Sequence, residues 1–353
     1  MNNKYKHKQP VKKHSKLKQF GLMLCLLPNL VFAQKEDVIV FHNTENLFYP
    51  IDDSLTMDDD FTYEGKKHWT FKRYNKKLND LAKTYIAIDK NYMPSLIGLC
   101  EVENDAVLNA LTLSTPLRKV GYKYIHYYSK DIRGIDVALL YNPKRFKVEQ
   151  HYVLPSISNK EIDRTRDVLY VKGVLGQIMI NIYVVHAPSR RENNAKKHLR
   201  QEIFSQIYNH IQGLYSKGET NFLIMGDFND NPWDNAIKQS LHLKDSTYSP
   251  QLIDLMQNNR NKTGSYFFGG SYLSFDQFVV SNNLKERIVY DDNFTLSHIF
   301  TPDFLVERDP YSRKNKPFST YKGMNYQGGI SDHYPIILKL STEKGNGTDF
   351  ENQ

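Results

Sequence analysis

Five apolar runs in this 353-residue chain are long enough for one strand, too short for a helix, and bounded at one end by a carboxylate, amide or imidazole. Residues 38–41 lead into His42-Asn43, 96–100 into Glu101, 182–185 into His186 and 222–225 into Asp227 with Asn229, while Asp332-His333 stands just before 334–340. Apolar runs of this length read as strands buried on both faces, and such strands need cover above and below. Where each run stops, the strand leaves the core and its loop enters solvent. One such acid is ordinarily a turn or cap residue, since Asp and Asn favour those places. Together they put oxygen and imidazole groups at strand exits, the chemistry that suits a hard divalent cation and a phosphate ester.

The rest of the chain supplies the cover. Phe71, Tyr74, Leu78, Leu81, Ala82, Tyr85 and Ile86 recur at three- and four-residue spacing, which predicts an amphipathic helix over 71–90. Further helices are predicted near 106–113 and over 195–215, and strands over 123–127, 136–141, 168–175 and 177–185, with two more buried strands ending at Asp227 and Ser281. Helices and strands alternate early and hairpin-like runs fill the middle, which predicts a mixed sheet system with helices outside. No Pro-rich linker, composition break or repeat interrupts residues 34–341, so we read one domain there, followed by a polar, mobile tail over 342–353.

Residues 1–33 carry seven lysines and no acid, with an apolar stretch over 20–33 that ends Val31-Phe32-Ala33. A basic start, a short apolar stretch and a small residue at its end predict a secretory signal peptide cut after Ala33, and a secreted or periplasmic mature chain. The stretch falls short of the about 20 residues a membrane span needs, so no stable membrane insertion is expected. Leu24 before Cys25 is too bulky for a lipoprotein signal. Without residues 1–33, 40 basic residues face 39 acidic ones, so the formal +8 of the whole chain is no evidence for a nucleic-acid-binding surface. Cys100 is then the only cysteine, so stability rests on the core rather than on an intramolecular disulfide. Its apolar surroundings make it a small buried hydrophobe.

Six blocks follow one another along the chain: Phe41-His42-Asn43-Thr44-Glu45-Asn46-Leu47-Phe48, Ile97-Gly98-Leu99-Cys100-Glu101-Val102-Glu103-Asn104, Val184-Val185-His186-Ala187-Pro188-Ser189, Gly226-Asp227-Phe228-Asn229-Asp230, Ser274-Phe275-Asp276-Gln277 and Gly329-Ile330-Ser331-Asp332-His333-Tyr334-Pro335. In this order they resemble the endonuclease/exonuclease/phosphatase superfamily, which includes DNase I-like nucleases, abasic-site endonucleases, sphingomyelinases and inositol-phosphate 5-phosphatases. The likeness covers nearly the whole mature chain and looks greatest to the secreted bacterial endonuclease-type branch. It implies an α/β fold of four layers, two mixed β-sheets face to face with helices outside. It implies Glu101 and Asp332 as main ligands of Mg²⁺ (or Mn²⁺), with Asn43 close by. By the same resemblance His333 orients or deprotonates the attacking water, Asp276 is its carboxylate partner, and Asp227 and Asn229 meet the water and a non-bridging oxygen. His186 stands where DNase I-like and several phosphatase branches carry a histidine and abasic-site enzymes a tyrosine. The resemblance therefore makes it a proton donor or phosphate contact and points away from abasic-site repair. Phe275 replaces an aliphatic residue common before the acid.

Arg190, Arg191, Lys196, Lys197 and Arg200 crowd one segment, the last three at the spacing of a shared helix face, and Arg164 and Arg166 form a second basic pair. Both sets are candidate phosphate contacts, with a solvated basic face as the bland alternative. The acidic loop 52–60 fits no EF-hand spacing and reads as a solvated charge run. The expected function is an exported, metal-dependent phosphodiesterase that hydrolyses nucleic acid, DNA or RNA, acting as a monomer with no obligate protein partner. The alternatives are a phospholipid head group or a phosphomonoester as substrate on the same fold, or a non-catalytic binding module. A phospholipase is expected to expose an apolar hairpin, and residues 267–273 are the best candidate for one.

Overall fold

The computed structural model describes residue 1 and residues 36–89, 92–156, 164–190, 194–257, 263–290 and 297–343. The expected signal peptide (Met1 apart), Arg191 and the tail from residue 344 lie outside the described residues. The strands in chain order are β1 (Glu36–Leu47), β2 (Leu96–Val102), β3 (Lys123–His126), β4 (Asp136–Tyr141), β5 (Phe146–Leu154), β6 (Val168–Leu175), β7 (Ile178–His186), β8 (Phe222–Asp227), β9 (Leu252–Asp254), β10 (Tyr266–Phe268), β11 (Ser271–Leu273), β12 (Asp276–Ser281), β13 (His298–Ile299), β14 (Val306–Arg308), β15 (Asn315–Pro317), β16 (Tyr321–Lys322), β17 (Asn325–Tyr326) and β18 (Ile336–Ser341).

Two six-stranded sheets carry the fold, in the orders β13-β18-β1-β2-β4-β3 and β5-β6-β7-β8-β12-β9. Each is mixed: β1 and β2 run parallel in the first, β7 and β8 in the second, and the other pairs are antiparallel. Side-chain alternation shows how they stack. From β7 and β8, Ile182, Val184, Leu223 and Met225 join the core that holds Phe41 and Ile97. Their neighbours Tyr183, Val185, Phe222 and Ile224 point the other way, into a second core. Successive strand residues face opposite sides, so the first core lies between the sheets. A Cβ on Gly98 would come within 2.8 Å of Met225 Cε, which shows how closely the two sheets approach.

Helices cover both outer faces. Helix α1 (Phe71–Ala87) starts at Thr70, whose side chain accepts from Arg73 N–H, and it buries Tyr74, Leu78, Leu81, Ala82 and Tyr85 at the spacing read from sequence. Helix α2 (Asp105–Leu113) is capped by Asn104, which accepts from Val107 N–H at 3.1 Å. Helix α3 (Lys197–Tyr215) packs Ile203, Phe204, Ile207 and Ile211 into the second core. Each fully buried side chain of this kind contributes about 1.5–3 kcal/mol of transfer free energy.

Three expectations change. β5 was not expected, because as a sheet-edge strand it leaves most of its side chains at least partly exposed and shows no apolar run. The acidic loop is not simply solvated: Asp58 is buried and accepts from Asp53 N–H (3.1 Å) and Thr56 Oγ1 (3.2 Å), closing a turn. Thr342, placed in the tail, is buried and accepts at its carbonyl from Gln177 N–H, so the packed region continues through it. Among the described residues no helix is long and apolar enough to cross a membrane.

Candidate active site

The strand exits of both sheets open at one rim. Because β1 and β2 are parallel, Asn43, paired with Cys100 where the register of the ladder shifts, stands beside Glu101. In the other sheet His186 pairs with Asp227 and Asp227 with Asp276, so three functional side chains form a row across β7, β8 and β12. Gly226 makes the row possible, since a Cβ there would meet Val185 O at 2.1 Å. The Asp332-His333 turn before β18 closes the ring. Its Ser331 hydroxyl donates to Asn43 O at 2.6 Å and accepts from His333 N–H at 3.0 Å. His42, buried beneath, donates from Nε2 to His333 O (3.2 Å) while Nδ1 accepts from the Tyr85 hydroxyl (3.2 Å). Burial pushes His42 down to about 3, and only the neutral ring can play both parts.

Four non-glycine residues of the rim adopt left-handed backbone: Glu45 (φ 52°), Asn46 (φ 55°), Glu101 (φ 60°) and Asn229 (φ 50°). Such conformations cost of order 1 kcal/mol or more each and gather at functional sites. Hydrogen bonds hold them. Glu101 accepts from Asn46 N–H (2.8 Å) and from the Asn43 amide (3.3 Å). Asn229 donates its N–H to Asp227 (2.9 Å) and its amide to Ala187 O (3.0 Å). The Glu45 carboxylate accepts from Thr320 and Tyr321 N–H, and buried Lys77 of α1 donates to Glu45 O and Thr320 Oγ1.

The two imidazoles that face the rim are tuned in opposite directions. His333 donates from Nδ1 to Asp276 at 2.6 Å, with Nε2 3.9 Å from Asp227. Burial alone would disfavour its charge, yet Asp276, Asp332 and Asp227 outweigh burial and hold it well above its usual value. His186 has Nε2 3.8 Å from Glu101 and 3.7 Å from Asp227, but burial, joined by the positive charges of Arg166 and Arg133, drives it well below the usual value. Burial raises Asp227 and Asp332 to about 6 each, with His333 opposing and neighbouring carboxylates adding to the rise. Ligand atoms of Asp227, Asp276 and His333 all lie within 4.8 Å of one another, a candidate metal centre.

Above the row lies a cleft of about 470 Å³. Glu101, Asp227, Asp332 and both imidazoles line it, as do Arg133 and an aromatic wall of Tyr266, Phe268 and Phe275. Tyr266 stacks on His333 with ring centres 4.6 Å apart and on Phe275 at 5.6 Å. The hairpin β10–β11 carries Tyr266 and presents Phe268, 68 % exposed, at the lip.

The structure brings together Asn43, Glu101, His186, Asp227, Asn229, Asp276, Asp332 and His333 as read from sequence. It corrects the basic residues. Arg166 is buried and donates to Asp131 (2.7 Å), His186 O and Ala187 O, so it is a strut beneath the site and not an exposed phosphate contact. Arg200 is fully buried against Asp230, Pro188 O and Asn194, and shares no exposed face with Lys197. Arg190 lines the cleft, yet its guanidinium is engaged by Asn229 O, Asp230 and Asp234. Arg164 is exposed and lines a separate groove beside Asp131 and Ile132. Sequence reading missed Arg133, Lys77 and Tyr266.

A family model described as the Endonuclease/Exonuclease/phosphatase family matches residues 38–342. The chain belongs to this family. Members with solved structures share its fold. The endonuclease/exonuclease/phosphatase family protein of Bacteroides thetaiotaomicron is 14% identical, with a TM-score of 0.55 over 89% of this chain and 98% of that one. D. rerio TDP2, complexed with single strand DNA product, is 13% identical, with a TM-score of 0.50 over 87% and 99%. The human Nocturnin catalytic domain, with bound sulfate anion, is 14% identical, with a TM-score of 0.51 over 88% and 95%. Among curated proteins none matches this sequence.

Proposed function

We propose that this family member is a metal-dependent phosphodiesterase that hydrolyses nucleic acid, exported after removal of residues 1–33. One observation carries the chemistry: the His333–Asp276 pair at 2.6 Å stands beside Asp227, opposite a neutral His186 that faces the same carboxylate. With Nδ1 committed to Asp276, Nε2 of His333 is the atom left to face the attacking water. Once Asp332 holds a cation, part of the negative charge that keeps this ring protonated is offset, so that the ring can take the water's proton and Asp276 stabilise the imidazolium. Asp227, fixed by Asn229 N–H, orients that water. His186 offers a neutral ring N–H to a phosphoryl or leaving oxygen.

The donor set fits a hard dication. Glu101, Asp332 and Asp227 present carboxylate oxygens, and burial already raises Asp227 and Asp332 to about 6, a strain that a bound cation relieves. Glu101 and Asp332 would hold Mg²⁺ or Mn²⁺, which when bound polarises the phosphoryl oxygen and stabilises charge on the leaving oxygen. Asn43 plays another part. Its oxygen accepts from Glu45 N–H and its amide donates to Glu101 and Asp227, so it holds the carboxylates in place. The metal-centre cluster at Asp276 and His333 is better used as a charged pair, since their 2.6 Å hydrogen bond occupies Nδ1.

The DNA product in D. rerio TDP2 and the sulfate in Nocturnin support a phosphate-ester substrate here. A second reading, a phospholipid head group, is favoured by Phe268 at the exposed hairpin tip. The deciding experiment offers plasmid, single-stranded DNA, RNA, sphingomyelin vesicles and inositol phosphates to the purified mature protein with Mg²⁺, Mn²⁺ or EDTA. Metal-dependent cleavage of nucleic acid is expected. Turnover of sphingomyelin alone would select the second reading, and no turnover at all would reject both. N-terminal sequencing of native material should start near Gln34, and a start at Met1 would overturn export.

A further inference from the structure

The cleft floor is acidic and a phosphate ester is an anion, so some cation must receive it. Most arginines nearby are spent. Arg166 gives its donors to Asp131 and two backbone carbonyls, Arg200 to Asp230, Pro188 O and Asn194, and Arg190 to Asn229 O, Asp230 and Asp234. Arg133 differs. Its backbone N–H and Nε both turn to Asp131 Oδ1, at 2.9 and 3.4 Å, and its two terminal nitrogens have no hydrogen bond among the described residues. The side chain is 39 % exposed and lines the cleft with Glu101, His186 and Asp227.

We propose that Arg133 is the phosphate anchor of this cleft, its free fork receiving two non-bridging oxygens of the phosphoryl group under attack; this rests on the phosphodiesterase reading above. A planar guanidinium matches phosphate oxygens with two parallel hydrogen bonds, which a lysine cannot reproduce. The fork is held before substrate arrives. Asp131 takes its near edge, so the far edge is presented to the cleft. Arg166 takes the other Asp131 oxygen at 2.7 Å and, through His186 O and Ala187 O, also fixes the backbone of the histidine opposite. One buried guanidinium therefore sets both the anchor and His186, and Arg166 is a positioning residue.

The test titrates inorganic phosphate into wild type, Arg133→Gln and Arg133→Lys in the presence of Mg²⁺ by calorimetry, and measures KM and kcat on bis(p-nitrophenyl) phosphate. Loss of charge-assisted hydrogen bonds should weaken phosphate binding roughly ten- to hundred-fold in Arg133→Gln. Arg133→Lys should recover part of the affinity, KM should rise more than kcat falls, and the melting temperature without phosphate should stay at the wild-type value. Wild-type phosphate affinity in folded Arg133→Gln overturns the anchor. Should that variant fail to fold, Arg133→Lys decides: wild-type affinity there overturns it equally. If wild type turns over no phosphodiester while phosphate binding still depends on Arg133, the phosphodiesterase reading falls and the phosphate site remains. Turnover with Arg133-independent phosphate binding sinks the anchor alone.

Discussion

The side-chain amide of Asn43, where the register of β1 shifts, donates to Asp227, at the end of β8, across 3.1 Å. With its second contact, to Glu101, this one group ties the two sheets together at the rim and keeps two carboxylates apart. Asn43→Ala should therefore lower metal affinity and melt earlier than wild type in EDTA, with much of the loss recovered in Mg²⁺. Unchanged melting in EDTA would show that the amide is not needed to hold the carboxylates.

Protons and metal compete for the same oxygens. Asp227 and Asp332 are raised to about 6 by burial, so between the ordinary carboxylate value of about 4 and pH 6 the folded chain binds protons that the unfolded chain has released. These two carboxylates should thus cost the metal-free protein stability as pH rises through that window, so that Asp332→Asn should gain in melting temperature over wild type between about pH 5 and about pH 8. Saturating Mg²⁺ or Mn²⁺ should erase the difference, and metal affinity should drop below about pH 6. Melting curves of wild type and Asp332→Asn across pH, with and without metal, check this; a metal-free variant that gains nothing on wild type over the same rise contradicts it.

His333→Ala and Asp276→Ala should each lose about 10²- to 10⁴-fold in kcat. The double variant should be little worse than the worse single, because a hydrogen-bonded pair acts as one unit. Multiplicative losses would mean that the 2.6 Å contact has no part in catalysis.

Arg166→Ala removes the buried partner of Asp131. Breaking a buried pair on one side typically costs about 3–5 kcal/mol, so the variant should unfold at much lower denaturant concentration. A folded, equally stable Arg166→Ala enzyme with only a raised KM would restore the substrate-contact role that sequence suggested.

Asp254 lies buried on β9, and burial raises it to about 7. Its Oδ1 accepts from Met256 N–H at 2.8 Å, while Oδ2 has no partner among the described residues. Asn can keep the first contact without the charge. Asp254→Asn should raise the melting temperature by a few degrees above about pH 7, the scale of ~1 kcal/mol, and leave it unchanged near pH 4. No gain at alkaline pH would mean that the carboxylate is better compensated than its surroundings indicate.

His186 and Asp227 were legible because two signals coincide at a strand exit: the apolar run stops, and a polar side chain follows; Asp276 stands at the start of its strand and came only with the family resemblance. Arg133 gave neither, lying in the loop between β3 and β4 where only folding brings it to the cleft. Lys77 was readable and passed over, and Arg200 was readable and misread. Lys77 falls on the stripe Tyr74, Lys77, Leu78, Leu81, and Arg200 on Arg200, Ile203, Phe204, Ile207, so helical spacing places both on buried faces. Counting the charge of Arg200 as surface charge overrode the period. β5 stayed hidden because an edge strand can form with polar residues along much of its length.

Gly226 has a bearing on how the family should be read. Its hydrogen is all that fits against Val185 O, where a Cβ would come to 2.1 Å, and that demand is made by two neighbouring backbones whatever the cleft does. Half of the Gly226-Asp227-Phe228-Asn229 signature is therefore architectural, with Phe228 buried in the second core beside it. Relatives that have abandoned hydrolysis, free to lose Asp227 and Asn229, would still be obliged to keep the glycine and an aromatic or similarly large neighbour. On this reading a partial match to the motif reports the packing, while Asp227 and Asn229 carry the chemistry proposed for this chain.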